Sequence, residues 1–190
     1  MTFMRLFLFA ALLVVSAAPA VAQPAPALDI AAARASLTGA WSGELEYRDY
    51  SADTWFGIPV KTRIADQGDG ATIIRASDFD DGPKVGNVRI TTVELFDAKA
   101  ATVQAGSFRK GRAAEIMTYA VTLDPGSRDS LHWTMIEQTK GEDANRPATL
   151  RLTTVRDGDR IETLKEVDFL DDDTTEWLAR NRTRLTRTGD

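Results

Sequence analysis

Few residues in this chain have the types and spacing that do chemistry. His132 is the only histidine, and there is no cysteine, so thiolate metal sites and cysteine nucleophiles have no material. Any Ser-His-Asp hydrolase would have to use His132 as its base. Gly39-Ala40-Trp41-Ser42-Gly43 misses the G-x-S-x-G elbow by one position, and it sits in a strand pattern rather than at a strand-to-helix turn. Asp78-Phe79-Asp80-Asp81-Gly82 has the look of a calcium loop. Its glycine falls fifth instead of sixth, however, and the twelfth residue is Arg89 rather than a bidentate glutamate. Turn chemistry accounts for it, and for Asp171-Asp172-Asp173 as well. The phosphate-cradling G-x-G-x-x-G and G-x-x-x-x-G-K patterns are missing from the sequence. The sequence therefore assigns no catalytic residue, no metal ligand and no cofactor, and the chain reads as a non-enzyme.

An apolar set remains that could hold a ligand. Trp41, Leu45, Tyr47, Phe56, Leu131, Trp133, Met135 and Trp177 fall on the uncharged parity of their segments, the one that faces a core. Tyr47, Trp133, Met135 and Trp177 are the candidate ligand contacts. In a hollow fold they would line a cavity for a small hydrophobic molecule. In a filled fold they are core.

The elements that must position these residues are strands. Asp29 can cap a short helix through Ala31-Ala32-Ala33 to Leu37, after which the helical period disappears and ten segments follow, most of them rich in Thr, Val, Ile, Leu and aromatics. Ala40 to Tyr50 alternates Trp41, Gly43, Leu45 and Tyr47 with Ser42, Glu44, Glu46 and Arg48, a half-buried strand with a solvated charged face. Phe56 to Ile64 repeats the pattern. Asp124-Pro125-Gly126 and Asp157-Gly158-Asp159 mark turns. Lys140 to Pro147 reads as a polar loop, as does Tyr50 to Trp55, and Thr175 to Arg187 is the last strand. Such spacing, without helical crossovers, predicts antiparallel connections. Closing ten strands into an up-and-down barrel removes exposed edges; a two-sheet sandwich is the alternative.

The first 22 residues read as a secretory signal. Arg5 precedes the apolar run Leu6 to Val15, and Ala20-Val21-Ala22 supplies a small-x-small cleavage pattern. That run falls short of the roughly 20 residues a membrane-spanning helix needs. Residues 23–28 form a linker, leaving 29–190 as one domain in the periplasm or outside the cell. The net charge is −5, a sign that argues against a nucleic-acid partner. No membrane span is expected after cleavage, and no protein partner can be read.

Leu37-Thr38-Gly39-Ala40-Trp41-Ser42-Gly43 resembles the G-x-W opening of the lipocalin and calycin barrels, including their nitrobindin-like ten-stranded members. The resemblance implies a barrel of about eight to ten strands, preceded by a short helix. It also implies that Trp41 plugs one end and that a basic residue late in the final strand, here Arg187, packs over it. Arg187 shares the parity of Trp177, Ala179, Asn181, Thr183 and Leu185, and in an antiparallel closure it would meet Trp41. Both residues are thus assigned to barrel closure. A nitrobindin-like haem site would need a histidine ligand, and His132 alone could supply one; its alternation with Leu131 and Trp133 is that of a plain strand residue.

Overall fold

The computed structural model describes residues 28–189. The signal segment assigned to 1–22 and most of the linker lie outside the described residues. Asp29 Oδ1 accepts the Ala32 amide at 2.7 Å and so caps the short helix α1 (Ile30–Ala35). Ten strands follow, with a one-turn helix α2 (Gly82–Val85) between the third and fourth: β1 (Gly39–Asp49), β2 (Thr54–Asp66), β3 (Thr72–Asp80), β4 (Asn87–Asp97), β5 (Thr102–Arg109), β6 (Glu115–Leu123), β7 (His132–Asp143), β8 (Arg146–Asp157), β9 (Arg160–Phe169) and β10 (Leu178–Arg187). Each strand pairs antiparallel with its chain neighbours, and β10 pairs with β1 to close the barrel. Across that last seam Trp41 lies opposite Arg187.

Two expected loops are instead hairpins. The segment 140–147 belongs to β7 and β8, which pair down to Asp143 and Arg146 around a two-residue turn. Ala144 and Asn145 there have φ of 52° and 59°, the left-handed pair of a type I′ turn, whose twist matches that of the strands. Polar composition signals exposure, and this hairpin tip is exposed without being irregular. Similarly, β1 and β2 pair down to Asp49 and Thr54.

The last strand begins later than its pattern suggests, and a register irregularity lies between Ala179 and Asn181. One extra residue reverses side-chain parity. Residues 181–187 keep the phase that puts Arg187 inward, whereas Trp177 loses it and packs over the Arg151 guanidinium, 3.8 Å from its ring centre. Arg151 pairs with Glu166 at 2.8 Å on the outer wall, between the inward Leu150 and Leu152. Trp177 is therefore not a lumen residue.

The core gathers at the end that α1 plugs. Ala33, Leu37, Trp41, Ile64, Val103, Val121, Trp133, Met135 and Ile161 are all buried there. Trp41 Nε1 donates to the Leu37 carbonyl at 2.8 Å, and Arg187 lies 4.2 Å above the indole. Gly39 makes room for that arginine: its φ is 137°, and a Cβ would fall 2.3 Å from Arg187 Nη1. A second smaller cluster, Ala148, Leu150 and Val167, sits toward the open end.

One outward carboxylate departs from the solvated face expected of β1. Glu46 is 6% exposed, held at 2.5 Å by both Arg182 and Arg184, while Arg182 also stacks on Trp55 at 4.3 Å. Burial pushes its carboxyl up, but the two arginines outweigh that and hold it below the usual range. Aliphatic arginine stems cover what the alternation left outside.

Candidate functional site

Between the plugged end and the open end, the inward rows of the barrel turn polar. Arg75 on β3 follows Ile73, Glu94 on β4 precedes Phe96, and Glu137 on β7 follows Met135, each on the inward parity. Arg34, 4% exposed, reaches up from α1. Its Nη2 meets Glu94 Oε2 at 2.8 Å and its Nη1 meets Glu137 Oε1 at 3.4 Å, while Arg75 Nε meets Glu94 Oε1 at 3.3 Å. Hydroxyl pairs ring this layer: Thr62 with Ser77 at 2.9 Å, and Thr154 with Thr163 at 3.0 Å. Buried polar groups need such partners, because an unpaired one costs roughly 1–3 kcal/mol.

Two cavities meet at this layer and share Thr92, Glu94, Glu137 and Leu152. The first, about 260 Å³, is lined further by Val103, Ser107, Glu115, Met117 and Tyr119. The second, about 220 Å³, runs past Val60, Arg75, Phe79, Ile90 and Thr183. Glu115, at the first position of β6, is exposed, so the first lobe reaches toward the open rim. The barrel is neither filled nor lined chiefly by aromatics.

The two carboxylates at the junction differ. Burial pushes Glu94 up, but Arg75 and Arg34 together outweigh it and hold this carboxyl below the ordinary range. Glu137 is pushed up to about 7, first by burial and then by the charge of Glu94, with only partial relief from Arg34 and Arg75. Tyr119 is pushed up to about 12, by burial and then by Glu137, Glu115 and Glu94.

The sequence-derived candidates are dispersed. Trp133 and Met135 belong to the plugged-end core, and Trp133 Nε1 donates to Ser36 Oγ at 3.1 Å. Tyr47 stacks on Phe56, ring centres 5.5 Å apart; at 37% and 57% exposure the pair marks the open rim. Leu131 is exposed, Trp177 is outside, and neither lobe is lined by any of the four ligand candidates. Trp41 and Arg187 close the barrel, with a second cation, Arg156, 5.3 Å from the same indole. His132 lies off the inward row, its Nδ1 2.9 Å from Asp129, away from the lumen. Asp172 Oδ1 accepts the Thr174 amide, a turn as expected, whereas Asp78 to Asp80 end β3, with Asp78 bound by Arg89 and Asp80 Oδ1 accepting the Gly82 amide where the turn begins.

Sequence reasoning passed over Arg34, Arg75, Glu94, Glu137 and Arg156. The signal for four of them was present. Glu137 follows Trp133 and Met135 at the same parity, and Arg75, Glu94 and Arg156 interrupt equally regular inward rows. Charge was taken as a mark of the outer face, whereas Arg34 and Arg75 pair with Glu94 inside and Arg156 donates to the Ser36 and Gly158 carbonyls.

This geometry defines a closed ten-stranded antiparallel barrel with one helix-plugged end and a polar, two-lobed lumen. No protein-family model matches the chain, and no curated protein does. Among solved structures, the fold is similar to that in "Crystal Structure of Rv2717c from M. tuberculosis", with a TM-score of 0.55 and 13% identity over 85% of this chain and 99% of that one. At that identity the likeness concerns the fold.

Proposed function

We propose that the chain is an exported small-molecule-binding protein of calycin-like architecture. The observation that carries this reading is the lumen: two joined cavities beneath an open rim, in a barrel whose opposite end is sealed. Ligand sites favour such concave spaces with an apolar body and a few convergent polar groups. Val103, Met117 and Leu152 supply the apolar side of one lobe, and Val60, Phe79 and Ile90 that of the other. The ligand is a small molecule with a hydrophobic body and a group that engages the buried charges. Export rests on the N-terminal pattern of Arg5, Leu6 to Val15 and Ala20-Val21-Ala22.

Native mass spectrometry of protein purified from its own host tests the reading. A reproducible adduct released on denaturation supports it, and a consistently bare chain overturns it. N-terminal sequencing of the extracellular or periplasmic fraction tests export, with Gln23 the expected first residue.

A second reading rests on the outer wall. Val93, Gly106 and Ile116 stand in register across β4, β5 and β6, with Leu95 and Phe108 exposed beside them. An apolar outer stripe of this kind suits an envelope interaction module. Co-purification of a partner that is lost on Phe108→Ser and Ile116→Ser would favour it.

A further inference from the structure

The wall between β6 and β7 is incomplete. The two strands pair only over residues 120–123 and 135–138. Toward the open rim both run on, through 115–119 and 139–143, and each stays paired there with its other neighbour, β5 or β8. Stagger does not explain the gap, because in the same register, carried on, Glu115 would stand opposite Asp143. The strands reach the same height without joining. Backbone N–H and C=O groups that face such a slot need water or a partner in place of the missing ladder.

The first lobe borders this slot. Its lining takes Glu115, Met117 and Tyr119 from the unpaired stretch of β6, and Glu137 from β7 where the ladder resumes. One side chain crosses the slot from the inside. Met117 packs against the cluster of Ala148, Leu150 and Val167 on β8 and β9, and a Cβ on Gly141 of β7 would stand 3.3 Å from its Cε. Glycine at 141 thus leaves the seat that the methionine methyl group fills. The sulfur's only hydrogen bond among the described residues comes from Tyr119 Oη at 3.3 Å, and a thioether is a weak acceptor. With three rotatable bonds and no ladder beside it, this side chain can swing at little cost. Resting on the lumen-binding reading above, we infer that small molecules reach the first lobe sideways, through the β6–β7 slot, and that Met117 is the shutter that closes it.

The chain has no cysteine, so a single introduced thiol reports on the lobe without background. Val103→Cys places one in the lobe wall, at a side chain that is 1% exposed. Alkylation by iodoacetamide, followed by mass spectrometry, gives the rate at which a small neutral molecule arrives. Met117→Ala should raise that rate about tenfold, since it removes the side chain that spans the slot. Phe56→Ala, at the rim, should leave it unchanged. Adding Thr118→Cys and Lys140→Cys provides an outward pair, opposite one another in the continued register. Their oxidation ties the slot shut and should slow alkylation of the lobe thiol about tenfold. Val121→Cys, equally buried but lining neither lobe, reports opening of the whole fold, and its rate should not respond to Met117→Ala.

A lobe rate indifferent to the cross-link, or raised more by Phe56→Ala than by Met117→Ala, overturns the inference. So does equal acceleration of Val121→Cys by Met117→Ala. In these cases an adduct in the native mass spectrum would still uphold ligand binding, reached by another route.

Discussion

Glu137 shows how one side chain couples stability to pH. Its carboxyl is pushed up from the ordinary 4.5 to about 7, so the fold favours the neutral form. The stability this confers is complete below about pH 4.5 and is lost as pH rises through about 7. Glu94 has the opposite sign, being held below the ordinary range, and its contribution is lost only under more acidic conditions. Urea denaturation should therefore show Glu137→Gln gaining about 2–3 kcal/mol over the parent between pH ~5 and pH ~8. A difference that is constant with pH would place the shift elsewhere. None of this is visible in residue type alone. Glu137 and Glu142 are both glutamates on β7, and the inward parity of one gives it Arg34 and Glu94 as neighbours.

Two positions test how the elements are joined. At the β1–β10 seam, a Cβ on Gly43 would stand 1.9 Å from the Arg184 carbonyl oxygen. Backbone cannot swing away as a side chain can, so Gly43→Ala should cost about 3 kcal/mol, read as a lower urea midpoint. At the β7–β8 tip, Ala144 holds φ of 52°, a conformation costing a non-glycine residue roughly 1–2 kcal/mol. Ala144→Gly should raise the melting temperature, with a gain of about 0.5–1 kcal/mol after the added freedom of the unfolded chain is counted. The strands themselves were legible: ten expected, ten found. The N-cap at Asp29 was legible too, because capping is local chemistry. The turn at Ala144–Asn145 was not, since alanine gives no sign of a left-handed backbone. Nor was the irregularity near Arg180, which inserts one residue without changing composition and carries Trp177 to the outer wall.

Over the whole molecule, stability is graded along the barrel axis. The plugged end concentrates Trp41, Val103, Val121, Trp133 and Ile161 in one buried cluster, while the open end carries the long exposed turn of residues 171–176 and the Tyr47–Phe56 pair. Amide exchange should be slowest at Val103, Val121 and Trp133 and faster, strand for strand, toward the rim; uniform protection would contradict the gradient. By itself, the sequence determined the all-β class and the antiparallel connections, which follow from period-two alternation and turn chemistry. It favoured closure over a two-sheet sandwich because closure leaves no open edge, and the meeting of Trp41 with Arg187 was what the G-x-W resemblance implied. Tertiary structure decided what the lumen contains. Alternation says which residues share a face, but not which faces enclose space or which charges meet across it. The helix-borne Arg34, from the far end of the chain, finds Glu94 and Glu137 only after ten strands have closed around it.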